Sequence, residues 1–158
     1  MSFFFLAGKL RIMDRIIIDF IEKQRTASVC CLDEENNPYC FSIFYVFDKV
    51  ERRLYFKSSA SSNHAHYLLQ NKRVAGTILP DKLNTLAIRG IQFTGCVVEN
   101  SSTNHHATTE YHKKIPIALA IPGEVWTIQF ETIKMTDNTI GLGKKIHWQR
   151  EDLYEDVC

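Results

Sequence analysis

Residues 57–66 read Lys-Ser-Ser-Ala-Ser-Ser-Asn-His-Ala-His, a run of hydroxyls between a lysine and two imidazoles. Placed before a helix, such a run suits an anion. The helix N-terminus carries partial positive charge and free N–H groups. Ser58, Ser61, Ser62 and Asn63 can add hydrogen bonds, and His64 can add charge when protonated. A second basic turn, Gly141-Leu142-Gly143-Lys144-Lys145, is open to an anionic ligand. It is not a phosphate loop of the nucleotide-binding kind, because Asn138 stands where the first glycine belongs. No strand–GxGxxG–helix unit is present either.

Other chemistry finds less support. His105, His106 and His112 share one polar segment, but no two are four residues apart, as helical metal ligands require. His64 and His66 make no convincing metal pair, and no metal site is expected. No Ser/His/Asp arrangement and no catalytic acid or base can be assigned. The five cysteines, Cys30, Cys31, Cys40, Cys96 and Cys158, are odd in number and form no CxxC pair. They read as reduced thiols of a cytoplasmic protein.

The elements that must position these residues follow from periodicity. Residues 13–24 read as a helix, with Ile16, Ile17, Phe20 and Ile21 on one face. Residues 26–32, 39–47 and 54–57 read as three strands joined by short polar turns, hence an antiparallel meander. Residues 64–70 form a short helix, with Ser61 or Ser62 as its N-cap. Strands follow at 74–79 and 85–98, where Gly90 and Gly95 mark bulges or close backbone approach. A polar helix at 103–114 and strands at 125–130 and 133–136 complete the pattern, before a turn-rich tail. The fold class is mainly β: a closed or nearly closed antiparallel barrel with peripheral helices.

The chain of 158 residues is 45% hydrophobic and 23% charged, the size and composition of one packed domain. Its formal net charge of +1 provides no global field for nucleic acid. No run approaches the ~20 apolar residues that span a bilayer, so no membrane association is expected. The first eight residues resemble a signal peptide only superficially, since a basic leader is missing and the apolar stretch is short. Residues 1–12 are expected to be a flexible extension, and the patterned sequence begins at Met13. Residues 13–150 are expected to be a single domain and 151–158 a C-terminal tail.

The order of these elements, with Arg89-Gly90-Ile91-Gln92-Phe93-Thr94-Gly95 and the serine turn into His64-Ala65-His66, resembles the pyridoxamine-phosphate-oxidase-like split-barrel family. The tail from Met135 to Trp148, taken with Arg89–Phe93, resembles its YhbP-like bacterial branch. The resemblance implies a six-stranded antiparallel split barrel that dimerises and holds FMN at the dimer interface. It places Ser58 and Ser62 at the hydroxyl positions of the family's phosphate loop and Ala65 at its alanine. Asn63 and His64 stand where the family carries Arg and Lys. On the preceding strand Ser42 and Phe47 stand where the oxidases carry basic flavin contacts, and Gly90 replaces a polar one. The expected cofactor-binding set is therefore Ser42, Ile43, Lys57, Ser58, Ser62, Asn63, His64, Arg89, Lys144, Lys145 and Trp148. In the family, tail residues of one subunit reach the flavin of the other, a place that Lys144, Lys145 and Trp148 would take.

The resulting expectation is an FMN-binding homodimer, an oxidoreductase of unspecified substrate, with pyridoxamine-phosphate oxidation itself not assigned. The alternatives are a module using the same cleft for haem, with His64 or His147 as axial ligand, or for another small anion, and a cofactor-free dimer. Dimerisation has a second argument. Residues 39–47 are apolar on both faces, whereas one barrel interior takes only alternate residues.

Overall fold

The structure, a computed structural model, describes residues 12–98 and 101–151. The expected flexible extension and C-terminal tail lie almost wholly outside the described residues. The elements run α1 (Arg15–Lys23), β1 (Thr26–Leu32), β2 (Pro38–Asp48), β3 (Arg53–Ser58), α2 (Asn63–Gln70), β4 (Arg73–Ile78), β5 (Arg89–Val97) and α3 (Ser101–Lys114). A 3-10 helix (Pro116–Ala120), β6 (Glu124–Asp137) and β7 (Lys145–Gln149) follow.

All strand pairings are antiparallel, in the order β3-β2-β1-β4-β5-β6-β7, and β3 also pairs with β6. That extra pairing closes β1 to β6 into a six-stranded barrel, with β7 extending the sheet beyond β6. The fold is thus the antiparallel barrel with peripheral helices that the periodicity and the resemblance imply. Closure buries the inward-facing row of each strand. Ala27, Val29 and Cys31 of β1, Ile43 and Tyr45 of β2, and Leu54 and Phe56 of β3 join one core with Ile128, Phe130, Ile133 and Met135 of β6. Each fully buried Ile or Phe adds about 1.5–3 kcal/mol to folding.

Helix α1 adds Ile17, Phe20 and Ile21 to that core, and Asp14 caps it by accepting from the Ile16 N–H at 2.8 Å. Helix α3 covers the outside of the barrel at β2, β3 and β6. There Val46, Tyr55 and Val125 pack with Ala107, Tyr111 and Ala118 in a second, smaller core.

Four expectations need correction. The strands expected at 125–130 and 133–136 are one strand, β6. Its pairing with β5 slips between Thr94 and Gly95, so Glu131 has no partner there and the ladder bends without breaking. Gly95 is required at this point, because a Cβ would lie 2.5 Å from the Gln129 carbonyl oxygen. Residues 85–88 are not strand; β5 begins at Arg89. The turn-rich tail contains β7, in which Ile146 and Trp148 face in while Lys145, His147 and Gln149 face out. Lastly, Cys96 is disulfide-bonded, whereas Cys30, Cys31 and Cys40 are free thiols. Spacing along the chain does not report approach in space, which is why Cys96 was expected to be reduced.

The two apolar faces of β2 are explained in part within one chain. Ile43 and Tyr45 face the barrel core, and Val46 is buried on the other side in the core under α3. Phe44 is left open on that outer face, at 69% exposure.

Candidate functional site

The serine turn joins the end of β3 to the start of α2, and Ser62 is the N-cap, its Oγ accepting from the Ala65 N–H at 3.3 Å. Much of the turn's hydrogen bonding is satisfied internally. Ser58 Oγ lies 2.6 Å from His64 Nε2 and 3.3 Å from Ser62 Oγ, while Ser62 Oγ donates to the Ser59 carbonyl. The His64 ring stacks on Phe41 with centroids 4.0 Å apart, and Phe41 in turn meets Phe56. Burial pushes the His64 pKa down, so its neutral form is favoured. Ser58, Ser62 and His64 thus come together, but on one another. Ser59 and Ser61 keep their hydroxyls at the exposed rim, 2.8 Å apart.

Lys57 precedes the turn and points to the outside of the barrel, beneath α3 and the 3-10 helix. Its Nζ donates to the Ala118 carbonyl at 2.7 Å and lies 3.1 Å from His112 Nε2. Lys57 lines a cleft of 1060 Å³, whose apolar wall is formed by Phe44, Tyr111, Ile117 and Ile121 and whose rim carries Arg25 and Lys114. Tyr111 donates to the Phe44 carbonyl, and burial raises its pKa, keeping the phenol protonated. The cleft offers a broad hydrophobic surface with positive charge at its edge, an arrangement suited to a planar anion. The sequence reading did not single out Tyr111 or the 3-10 helix, and it weighed His112 only as a metal ligand, which its spacing disfavours. The spacing Ala107–Tyr111–Ile115, one helical face four residues apart, was the available signal.

The other expected residues are scattered. Ser42 is exposed on the outer face of β2 and Ile43 is buried in the core. Asn63, the first residue of α2, is exposed. Arg89 pairs with Asp137 at 3.0 Å and lies over the Phe20 ring. Lys144 ends the β6–β7 connection and Lys145 begins β7, and both are exposed. Register places these three at the Asp137 end of β6 and Lys57 at the opposite end, beside Val125. Trp148 packs into its own barrel at 4% exposure, with Arg52 and Arg150 over its ring. Within a single chain, therefore, the lysine tail and the serine turn do not form one site. No group of metal-ligating side chains occurs among the described residues.

A closed six-stranded antiparallel barrel with this connectivity is the split-barrel fold. It is shared with a haem-binding protein of Mycobacterium smegmatis at a TM-score of 0.70 and 13% identity, over 82% of this chain and 55% of that one. A FAD-binding protein of Mesorhizobium loti gives 0.62 and 12%, over 80% of this chain and 96% of that one. At such identities the likeness concerns the fold. No family profile matches the chain. Two relatives are nearer in sequence. A UPF0306 protein of Serratia proteamaculans is 35% identical over 85% of this chain and 93% of its own length. The UPF0306 protein YhbP of Salmonella schwarzengrund is 34% identical over 77% and 83%. The chain belongs to the UPF0306 family.

Proposed function

We propose that this protein binds a flavin, FMN, in the cleft between β2 and the 3-10 helix, and that it works as a homodimeric oxidoreductase. The observation that carries this reading is Lys57, a cation set in the wall of a 1060 Å³ cleft with an aromatic and aliphatic lining. It meets the Ala118 carbonyl and the His112 imidazole, neither of which carries negative charge, so positive charge is left for a ligand. The split-barrel fold, shared with flavin- and haem-binding proteins, supports the same class of ligand.

The residues present fit the isoalloxazine ring and one anionic contact. Phe44 and Tyr111 would flank the ring, Lys57 would hold the phosphate or the ring carbonyl edge, and Ser59 and Ser61, on the turn that follows Lys57, would donate to the phosphate. The apolar wall would exclude water from the ring. FMN, when bound, supplies the two-electron chemistry. The usual phosphate cradle of the family is not reproduced, because His64 turns inward to Ser58. A second copy would cover the exposed patch of Phe44, Ile117, Leu119 and Ile121.

Haem is the alternative reading, supported by His147, which is exposed on β7 and lines a second hollow on the sheet's outer face. His64 suits it less well, since its Nε2 is engaged by Ser58. Titration of the purified protein with FMN, followed by flavin fluorescence, and with haemin, followed by the Soret band, separates the two. Lys57→Gln should weaken FMN binding about ten- to a hundred-fold, the worth of one charged hydrogen bond. Undiminished affinity in that variant would remove FMN from this cleft.

A further inference from the structure

Away from the cleft, the outer face of β1 and β2 carries two free thiols directly opposite each other. Cys30 and Cys40 are Cα partners in the β1–β2 ladder, and both line a hollow of 670 Å³ on the sheet surface with Thr77, Gln92 and His147. Cys40 is exposed and Cys30 half-exposed, and the Cys30 thiol donates to the Cys31 carbonyl at 3.6 Å. Cys31 points the other way, into the barrel core, and its thiol is pushed up to about 11, chiefly by burial.

Directly opposed residues on antiparallel strands hold their Cβ atoms ~4.5–5.5 Å apart. A disulfide wants about 3.5–4.5 Å. A small approach of the two strands therefore suffices to join Cys30 to Cys40, whereas Cys31 faces away from both. A bond formed in this way is strained and easily reduced, unlike a disulfide placed for stability alone.

We propose that Cys30 and Cys40 form a reversible dithiol/disulfide site that reacts with small-molecule disulfides of the glutathione class. The exposed Cys40 thiolate attacks one sulfur of the small disulfide, forming a mixed disulfide and expelling one thiolate. The Cys30 thiolate then attacks the Cys40 sulfur, forming the Cys30–Cys40 bond and expelling the second thiolate. The two protons lost by the cysteines go to the two released thiolates. The protein is oxidised by two electrons, and the small disulfide is reduced to two thiols. Burial and the neighbouring Cys40 both raise the Cys30 pKa, which makes the second step the faster the higher the pH. The site stands on the register of β1 and β2 and is independent of the flavin reading.

The test uses the full-length protein, reduced with a phosphine, freed of reductant and incubated with oxidised glutathione without oxygen. Free thiols are then blocked with a maleimide, and non-reduced peptides are mapped by mass spectrometry, with Cys96 scored on its own peptide. The expected result is a Cys30–Cys40 cross-linked peptide that a modest excess of reduced glutathione reopens. Cys30→Ser should instead stop at glutathione attached to Cys40, with an unchanged circular dichroism spectrum showing that the barrel is intact. Glutathione remaining on Cys40 of the parent protein, or a cross-link through Cys31, would overturn the assignment. So would a Cys30–Cys40 bond that resists the glutathione excess.

Discussion

The Ser58 hydroxyl lies 2.6 Å from Nε2 of His64, and the imidazole is sandwiched between that bond and the face of Phe41. Two residues that the resemblance places around a phosphate are thereby engaged with each other, and burial holds the imidazole neutral. The sign of the pH effect follows. The His64 pKa is lowered on folding, so the unfolded chain takes up the proton more readily. His64 contributes its full stability above its ordinary value of 6.5 and loses it as the pH falls below that. His64→Phe, which keeps a ring over Phe41 but has no proton to bind, should flatten the fall in melting temperature between about pH 7 and pH 5. Parallel profiles for the two proteins would show that His64 does not titrate as its surroundings require.

Asp137 is fully buried at the end of β6 and holds the β6–β7 turn to β5. It accepts from Arg89 Nε at 3.0 Å and from both the backbone N–H and the hydroxyl of Thr139. Burial alone would raise its pKa, but the Thr139 bonds and the Arg89 charge outweigh burial and lower it. Its contribution is therefore present above the ordinary value of 3.8 and is lost as the pH falls through the lower folded value. Asp137→Ala leaves the Arg89 charge unpaired and should cost about 2–4 kcal/mol in urea unfolding at neutral pH. A loss under about 1 kcal/mol would place the pair among ordinary surface ion pairs.

Ser62→Asp separates the helix cap from the ligand. Aspartate caps a helix as well as serine does, so α2 and the melting temperature should be preserved. A negative charge beside the exposed hydroxyls of Ser59 and Ser61 should nevertheless weaken FMN binding at least tenfold through repulsion, read by fluorescence titration. Equal affinity in the two proteins would put the flavin phosphate away from this turn.

Dimerisation and the basic tail can be tested together. Leu119→Arg places a charge in the exposed apolar patch, outside the cleft lining, and should convert a dimeric mass to a monomeric one in light scattering, with little change in circular dichroism. Lys144 and Lys145 lie at the far end of β6 from Lys57, so they can reach the cleft only from a second copy. Replacing both with Ala should weaken FMN binding about tenfold in the dimer and have no effect in the Leu119→Arg background. A parent protein that runs as a monomer at micromolar concentration would end this reading.

The sequence by itself determined the antiparallel barrel, because residues 26–57 are rich in β-branched and aromatic residues and the links between strands are too short for parallel crossovers. It also located the α1 face of Ile17, Phe20 and Ile21, narrowed the α2 cap to Ser61 or Ser62, and marked Gly95 as a bulge or close approach, all of which follow from local sterics and periodicity. Tertiary structure decided what lies beside what. Barrel closure through β3 and β6 put Lys57 under α3, a helix that reads as polar and solvated until Ala107 and Tyr111 are seen against Val46 and Tyr55. The two-residue period of Ile146 and Trp148 marks a strand, but only an edge offered by β6 makes it one. The same holds for charge. Arg89 finds Asp137 and His64 finds Ser58 across 48 and 6 residues of sequence. Side-chain partners are chosen by distance in the folded chain, and a linear pattern carries the period of an element without the identity of its neighbour.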